Sequence, residues 1–316
     1  MGSALTACGI ALPEKTLGNA ELGERLGVSE DWIFHRTGIH TRRIARPEDS
    51  IASLATSAGA QALDLAGLDA QQIDLVIVAT FTGESQLPAN APVVAASLGA
   101  HNAGAFDTNA ACSGFLYGLA QAAALVENGT NRRVLVCGAD VLSAVTDVQD
   151  VGTSILFGDG AGAVVVEHIE GPTRLGPFTL RADGSRPEFL CIPPETGKIH
   201  MVGREVYRHA VESMVSSVQE LLKETSLALE DVDLLVAHQA NARILRAVAD
   251  RLGIAEERTL TNIARFGNTS AASIPLALAE ASESGVIKDG DNVVLTAFGG
   301  GFTWGAGLVR WGRGEW

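Results

Sequence analysis

The stretch QQIDLVIVAT (71–80) has a counterpart in EDVDLLVAHQ (230–239). Each begins with polar or acidic residues and continues as an apolar run of strand length, which is typical of a strand buried on both faces. The offset in sequence number from Ile73 to Val232 is 159. The two stretches therefore predict strands in equivalent places of a repeated unit.

A second pair of stretches repeats at the same distance. NRRVLVCGAD (131–140) matches DNVVLTAFGG (291–300), and the offset from Val134 to Val293 equals that from Ile73 to Val232. Because two independent pairs share one offset, the sequence predicts an internal duplication rather than a chance likeness.

A helix-like segment lies between the two strands of each half. These segments are CSGFLYGLAQAAALVENG (112–129) and NTSAASIPLALAEASESG (268–285). They have the same length from first position to closing glycine, which fits a helix that ends at a glycine. We therefore expect Cys112 and Asn268 to hold the same place in two related half-domains.

Each half also closes with a glycine-rich turn that leads into an apolar strand, FGDGAGAVVVE (157–167) and FGGGFTWGAGLVRW (298–311). Buried strands that alternate with helices indicate an α/β protein with mainly parallel sheets covered on both faces. We predict two duplicated half-domains, 1–170 with the cysteine and 171–316 with the histidine and asparagine. The join lies near GPTRLGPF (171–178).

Composition excludes several classes of protein. The chain has 316 residues, of which 47% are hydrophobic and 19% are charged, so it can bury a large core. A formal net charge of -14 argues against nucleic acid as a partner. The sequence has no long uninterrupted apolar run and no secretory signal, which predicts a cytoplasmic protein without a membrane partner.

The four cysteines are widely spaced. Cys8, Cys112, Cys137 and Cys191 form no CxxC pair and no Cys/His cluster at metal-ligand spacing. We therefore expect reduced cysteines and neither a disulfide framework nor a metal site.

Cys112 stands where small residues give way to a helix. A cysteine at a helix start lies beside unpaired N–H groups and the positive end of the helix dipole, which favour the thiolate. Cys112 is thus a candidate nucleophile. The alternative is a small buried core residue, the usual place of a free cysteine.

Two further polar residues stand at the ends of predicted elements. His238 ends an apolar strand, and Asn268 follows Gly267 at a helix start. Taken singly, they also fit a hydrogen-bonded strand-end histidine and an ordinary N-cap. Together with Cys112 they can form one reacting centre, in which a thiolate accepts an acyl group while the histidine and asparagine stabilise charge on a second thioester.

With these residues identified, the whole chain resembles the β-ketoacyl-acyl-carrier-protein synthase III family of thiolase-fold condensing enzymes. The resemblance is carried by DWIFHRTGI (31–39), ACSGF (111–115), FGDGAGAVV (157–165), HQANARI (238–244), GNTSAASIP (267–275) and FGGGFTWGAGLVR (298–310). It implies a thiolase-like fold with a layered α-β-α-β-α core.

The resemblance also implies a mechanism. Cys112 would take an acyl group from acyl-coenzyme A, and His238 and Asn268 would stabilise the enolate formed when a malonyl-acyl-carrier protein loses carbon dioxide. The backbone N–H groups of Cys112 and Gly300 would form the oxyanion hole. No cofactor is implied, since acyl-coenzyme A is a substrate.

The coenzyme A edge resembles the family in part. Trp32 would stack on adenine, with Arg36 and Thr37 near the pyrophosphate and base, while Asn241 would support the site. The family commonly has a basic residue where this chain has Val151. That departure leaves room for an unusual donor or a carrier-protein donor.

Further implied contacts lie at the surface. Arg208 and Arg243 would meet the acidic carrier protein, and the family implies a homodimer. Leu87 matches a position that reaches across the dimer interface to close the acyl pocket. Because leucine is smaller than the aromatic residue of acetyl-selective members, we predict that longer or branched starters are accepted; plain interface packing is the alternative.

Three other functions stay open at this point. The Cys/His/Asn site could move an acyl group to an oxygen or nitrogen acceptor without decarboxylation. It could also act as a thioester hydrolase, in which Asn268 would matter little. A non-catalytic partner subunit is disfavoured, because all three site residues are present.

Overall fold

The computed structural model of the protein describes residues 1–312, within which the backbone forms 13 β-strands and ten α-helices. The strands are β1 (Gly2–Ala11), β2 (Thr16–Gly18), β3 (Thr41–Arg43), β4 (Leu75–Ala79), β5 (Gly104–Thr108), β6 (Arg133–Asp140), β7 (Gly160–Ile169), β8 (Leu175–Ala182), β9 (Leu190–Cys191), β10 (His200–Met201), β11 (Leu234–Ala237), β12 (Asn292–Gly299) and β13 (Thr303–Arg310). The helices are α1 (Asn19–Leu26), α2 (Glu30–Thr37), α3 (Ile51–Ala66), α4 (Asn90–Leu98), α5 (Gly114–Glu127), α6 (Val151–Ser154), α7 (Gly203–Thr225), α8 (Ala242–Leu252), α9 (Ile263–Phe266) and α10 (Ser273–Glu283).

Two large sheets and three helical layers make up the body of the protein. The first sheet has the order β1-β7-β6-β4-β5 and the second the order β11-β12-β13-β8. Helices α5 and α10 pack between the sheets, α3 and α4 cover the outer face of the first, and α7 and α8 cover the outer face of the second. The predicted α-β-α-β-α layering is confirmed.

Strand pairing within each sheet is mixed. Strands β6, β4 and β5 pair in parallel, as do β11 and β12, whereas β1-β7-β6 and β12-β13-β8 are antiparallel. Parallel pairing needs a long crossover, and only three residues join β12 to β13. The sheets are therefore less uniformly parallel than the alternation of strands and helices suggested.

The strand pairs of the two sheets are related by the predicted duplication. Leu75 of β4 pairs with Val134 of β6, and Leu234 of β11 pairs with Val293 of β12. Both partners in the second pair follow those in the first at the offset that separates Ile73 from Val232. The offset read from the sequence is thus the structural repeat.

The two turns that lead into α5 and α10 obey the same offset. We call residues 109–113 the cysteine turn and residues 268–272 the serine turn. Ala111 and Ser270, which are equivalent by this offset, both adopt a left-handed backbone, with φ of 47° and 51°. By the same register Cys112 is equivalent to Ala271.

The expected equivalence of Cys112 and Asn268 is therefore wrong by three residues. The residue equivalent to Asn268 is Asn109. The error came from counting back from the closing glycines, because α10 has 11 residues and α5 has 14.

The core is continuous across the layers. Large apolar side chains of α5 and α10 fill the space between the sheets; among them are Phe115, Leu116, Leu119, Ile274 and Leu278. The first sheet uses residues 2–169 and the second residues 175–310. A boundary between 170 and 171 stays a prediction, and residues 313–316 of the second half lie outside the described residues. Within 1–312, no helix is long and apolar enough to span a membrane.

Candidate active site

A cavity of about 880 Å³ opens where the two halves meet. Its lining includes Cys112, His238, Asn268 and Gly300. The four come from different elements: the cysteine turn, the end of β11, the serine turn and the β12–β13 connection. The carboxyl ends of parallel strands in each half face this point, which brings together residues far apart in sequence.

Cys112 enters the cavity from the cysteine turn, directly before α5. Its side chain is half-buried, and burial raises the pKa of the thiol to about 12, with a smaller contribution from the negative charge of Asp140. The helix start was expected to favour the thiolate. Burial of the thiol acts in the opposite direction.

His238 follows β11 and is only 2% exposed. Its Nδ1 lies 2.7 Å from Ser273 Oγ, which also accepts a hydrogen bond from the Gln239 N–H at 3.3 Å. The buried Ser273 hydroxyl needs an acceptor for its own proton, and Nδ1 provides one. We therefore assign the proton of the imidazole to Nε2.

Burial also sets the charge of this histidine. It lowers the pKa of His238 from 6.5 to about 4. The ring is consequently neutral near pH 7, and its Nε2–H is a hydrogen-bond donor rather than a proton acceptor.

Asn268 has its side-chain amide fixed by the serine turn. Its Oδ1 accepts the Ser270 N–H at 2.9 Å, while Nδ2 lies 3.5 Å from the Ala240 carbonyl. Its backbone bonds Leu156 and Gly158, each at 2.9 Å. Because Oδ1 is engaged, the Nδ2 group is left as the donor available to a ligand in the cavity.

Two backbone N–H groups also remain available. Within the described part of the chain, neither the Cys112 N–H nor the Gly300 N–H donates to an acceptor on another residue. Beneath the first lies Gly299, where a Cβ would stand 2.7 Å from the Cys112 nitrogen. The glycine thus leaves room for the cysteine turn to keep its N–H open toward a ligand.

The predicted coenzyme A edge lines the mouth of the same cavity. The Arg36 guanidinium lies 4.3 Å from the centre of the Trp32 ring, a cation–π contact that occupies one ring face. Val151 also lines the cavity. The Thr37 hydroxyl is already engaged, because it donates to the Ile33 carbonyl and accepts the Ile39 N–H.

Asn241 links this edge to α8. Its Oδ1 caps the helix by accepting the Arg243 N–H at 2.8 Å, and its Nδ2 donates to the Arg36 carbonyl at 3.0 Å. It lines the cavity as well. The residue therefore joins two segments of the cavity wall.

Of the three residues predicted to make contacts at the surface, two lie outside the cavity lining and one lies within it. Leu87 is 88% exposed and does not line the cavity of its own chain. Arg208 pairs with Glu205 at 2.7 Å on α7 and is also outside the lining. Arg243 does line the cavity, with its guanidinium 5.8 Å from the centre of the Tyr207 ring.

The sequence analysis missed Asp140, a fully buried carboxylate at the end of β6. Its Oδ1 accepts from both Thr80 and Thr82 hydroxyls at 2.9 Å and from the Phe81 and Thr82 N–H groups at 3.1 and 3.3 Å. Its Oδ2 accepts the Ala271 N–H at 3.3 Å. Burial raises the pKa of Asp140 against these hydrogen bonds. The only signal in the sequence was an acidic residue ending an apolar run.

Ser270 and Ser273 were also missed, although both stand in the quoted stretch GNTSAASIP (267–275). Their hydroxyls are buried, which a sequence pattern does not reveal. Within residues 1–312, no group of three or more His, Cys, Asp or Glu side chains could hold a metal ion.

Comparison with known proteins gives consistent matches over the whole chain. The family model 3-oxoacyl-[acyl-carrier-protein (ACP)] synthase III matches residues 106–184, and its C-terminal model matches 222–311. A β-ketoacyl-[acyl-carrier-protein] synthase III of Listeria innocua is 44% identical over 313 residues, covering 99% of this chain and 100% of that protein.

Solved structures are also similar to this chain over nearly its whole length. The 3-oxoacyl-[acyl-carrier-protein] synthase III from Aquifex aeolicus VF5 has a TM-score of 0.96 and 44% identity, covering 98% of this chain and 100% of that one. The priming β-ketosynthase from the R1128 polyketide biosynthetic pathway has a TM-score of 0.94 and 36% identity, covering 98% and 96%.

Proposed function

Because the chain belongs to the β-ketoacyl-[acyl-carrier-protein] synthase III family and is a condensing acyltransferase, we propose that Cys112, His238 and Asn268 carry its reaction. The substrates are an acyl-coenzyme A and a malonyl-acyl-carrier protein, and the product is the β-ketoacyl thioester that starts a fatty acid or polyketide chain. The observation that supports these roles is one cavity lined by a thiol, two neutral side-chain donors and the oxyanion-hole residues.

Acyl loading uses the cysteine turn. The thioester carbonyl of the donor accepts the free N–H groups of Cys112 and Gly300, and the sulfur of Cys112 attacks its carbon. Both donors are fixed by backbone geometry, so they stabilise the oxyanion without reorganising. Coenzyme A leaves as the thiol, and the acyl group stays on Cys112.

Decarboxylation uses the two neutral side chains. The malonyl thioester carbonyl accepts from His238 Nε2–H and Asn268 Nδ2–H as carbon dioxide leaves and negative charge moves onto that oxygen. A histidine whose pKa is about 4 donates without carrying a charge of its own. The enolate carbon then attacks the acyl group on Cys112, the thiolate leaves, and solvent returns its proton.

Labelled carbon dioxide release tests this assignment. Malonyl-acyl-carrier protein is mixed with a panel of acyl-coenzyme A donors, and wild type is compared with Asn268→Ala. Release that needs both an acyl donor and Asn268 is the expected result. Acyl loading on Cys112 without any release would overturn it.

Three finer assignments accompany this proposal, and the panel of donors tests the one made for Leu87. We place adenine on Trp32 beside Arg36 and Thr37, with Asn241 holding that edge. Leu87, exposed on this chain, would close the acyl pocket of a second copy in a homodimer and admit longer or branched starters. Arg243 and Arg208 would meet the acidic carrier protein; loading of acetyl groups alone would contradict the assignment of Leu87.

Transfer to an oxygen or nitrogen acceptor is the second candidate. It is favoured by Val151, which puts an apolar side chain in the cavity lining where the family has a basic one. Its signature is loading of Cys112 without carbon dioxide release, followed by loss of the acyl group only when an amine or alcohol is added.

A further inference from the structure

Arg42 of β3 is an arginine buried outside the cavity, and no role described so far uses it. Its side chain is fully buried and does not line the cavity. It makes no ion pair with an acidic side chain of residues 1–312, and its Nε has no hydrogen-bond partner there. Since burial of an unpaired charge is costly, the hydrogen bonds that this guanidinium does make must offset that cost.

Those hydrogen bonds join two separate parts of the chain. Nη1 of Arg42 donates to Asn19 Oδ1 at 2.8 Å and to the Leu17 carbonyl at 3.4 Å. Nη2 donates to the Ile155 carbonyl at 2.8 Å. Asn19 begins α1, whereas Ile155 lines the cavity. The guanidinium therefore ties the cavity wall to the start of α1.

Residues 155–158, which we call the wall segment, also hold the backbone of Asn268. The Leu156 carbonyl accepts the Asn268 N–H at 2.9 Å, and the Gly158 N–H donates to the Asn268 carbonyl at 2.9 Å. Both backbone groups of Asn268 are thus bound by one short segment. That segment begins at Ile155, the residue whose carbonyl the guanidinium holds.

The stem of Arg42 lies against two glycines that adjoin these contacts. A Cβ at Gly158 would stand 3.0 Å from the Arg42 Cβ, and a Cβ at Gly267 would stand 3.3 Å from the same atom. Gly267 directly precedes Asn268. Arg42 therefore supports Asn268 in two ways, through the wall segment and through the residue before it.

We propose that Arg42 is a positioning residue that holds the Asn268 amide in place for the malonyl thioester carbonyl. The inference rests on the proposed function, in which Asn268 donates to that carbonyl during decarboxylation. A donor stabilises developing charge only where its geometry is fixed in advance. Acyl loading relies instead on the N–H groups of Cys112 and Gly300, so Arg42 should matter for decarboxylation and not for loading.

Two substitutions of Arg42 grade the loss of its hydrogen bonds. Arg42→Met keeps an apolar stem and removes every donor, whereas Arg42→Lys keeps the charge and replaces the planar fork with one compact ammonium. Protein already acylated on Cys112 is mixed with malonyl-acyl-carrier protein, and labelled carbon dioxide release is followed in a single turnover. Because a misplacement of about 1 Å can cost about 10²-fold, release should fall about 10²-fold in Arg42→Met and about tenfold in Arg42→Lys.

Acyl loading separates positioning from a general loss of structure. At saturating acyl-coenzyme A, the loading rate of both Arg42 variants should stay within about threefold of wild type, whereas partial unfolding would lower both steps alike. If Arg42→Met does not fold, Arg42→Lys makes the same comparison. Equal losses in loading and decarboxylation would overturn the proposal.

Arg174→Met is the matched control, because Arg174 is also a buried arginine and lies outside the cavity lining. Its Nη1 donates to the Gly312 carbonyl at 2.6 Å. Loading and decarboxylation should both stay within about twofold of wild type, since surroundings distant from the site do not position Asn268. Selective loss of decarboxylation in Arg174→Met would contradict the special role of Arg42.

A double variant tests whether Arg42 acts through Asn268. When Arg42→Lys is added to Asn268→Ala, carbon dioxide release should fall by less than about twofold further, because the group that Arg42 positions is already gone. A further loss of about tenfold would mean that Arg42 acts on another group, and the proposal would be wrong. Failure of the proposed function is distinguishable, because acylated wild-type protein would then release no carbon dioxide from malonyl-acyl-carrier protein.

Discussion

The cysteine turn and the serine turn are two copies of one backbone shape with different residues beneath them. In the first, Asn109 Oδ1 accepts the Ala111 N–H at 3.1 Å; in the second, Asn268 Oδ1 accepts the Ser270 N–H at 2.9 Å. Two residues after each asparagine the backbone is left-handed, and a helix follows. The duplication therefore reproduced the local structure closely.

The strand ends beneath the turns are not alike. Gly299 ends β12 under the cysteine turn, and the equivalent residue, Asp140, ends β6 under the serine turn. The N–H of Cys112 is open, whereas the equivalent N–H of Ala271 is bound by the Asp140 carboxylate. The two turns thus present equivalent N–H groups, of which that of Cys112 is open (the open site) and that of Ala271 is bound by a carboxylate of the protein (the filled site).

Gly299→Ala is expected to have the largest effect, because it closes the open site. The added methyl group would stand 2.7 Å from the Cys112 nitrogen and 3.0 Å from the Ala110 carbonyl, so the turn must move. Because we assign the Cys112 N–H to the oxyanion hole, and loss of one such donor costs about 10² to 10³ in rate, we expect acyl loading to fall about 10³-fold by rapid quench.

Gly184→Ala is the control for this change, since nothing lies within 4 Å of a Cβ at that position. Its loading rate should match wild type. If Gly299→Ala loads within about tenfold of wild type, the open N–H is not what the glycine protects.

Asn109→Ala and Asn268→Ala test whether the paired asparagines differ in role. Both lose the side-chain bond that holds a turn, a cost of about 1 kcal/mol. We assign donation to the malonyl carbonyl to Asn268 alone, so malonyl decarboxylation should fall about 10²-fold in Asn268→Ala and less than about tenfold in Asn109→Ala. Equal losses would show that Asn268 acts through the turn alone.

The position that His238 holds in the second half is held by Ala79 in the first, so only the second half has a titratable side chain there. Between pH 6.5 and about 4, the unfolded chain binds a proton on His238 that the folded chain does not. The free energy of unfolding therefore falls as pH falls through this window, by about 3 kcal/mol for this group.

His238→Ala makes the two positions alike and removes that dependence. Urea unfolding at pH 7 and near pH 4.5 should show a smaller acid loss in the variant than in wild type. The same loss in both proteins would mean that His238 is protonated in the folded state.

Much of this site followed from position in the sequence. Apolar runs at one offset predicted β4, β6, β11 and β12, and parallel strands bring their carboxyl ends to one edge. Cys112 and His238 lie near such ends, so their meeting in one cavity could be anticipated. Their roles in catalysis stay a proposal.

The features of the site that could not be predicted from the sequence depend on contacts between the two halves of the chain. Asp140 meets Ala271 from a distant part of the sequence, and Ser270 is buried by packing that no local pattern records. The pKa of Cys112 shows the same limit, because a helix start favours the thiolate whereas burial, which the sequence does not record, raises the pKa of the thiol. The predicted equivalence of Cys112 and Asn268 failed for a related reason, since α10 is shorter than α5 and the sequence does not show this difference in helix length.

Thr80→Val should have the smallest effect of the four predictions in this comparison. It tests how much a hydrogen bond to Asp140 Oδ1 contributes to holding the carboxylate of the filled site. It removes one of four donors to Asp140 Oδ1, a bond of 2.9 Å, while keeping the shape of the side chain. We expect the free energy of unfolding to fall by about 1 kcal/mol and the loading rate to stay within about threefold, because Oδ2 is untouched.

Thr56→Val is the matched control for Thr80→Val, since the Thr56 hydroxyl is buried without a hydrogen bond and its loss should be neutral or slightly stabilising. Equal stability of the two variants would mean that the remaining donors hold the Asp140 carboxylate unaided. A large loss of loading in Thr80→Val would mean that the serine turn depends on Oδ1 as well as Oδ2, and the filled site would then be less rigid than its hydrogen bonds indicate.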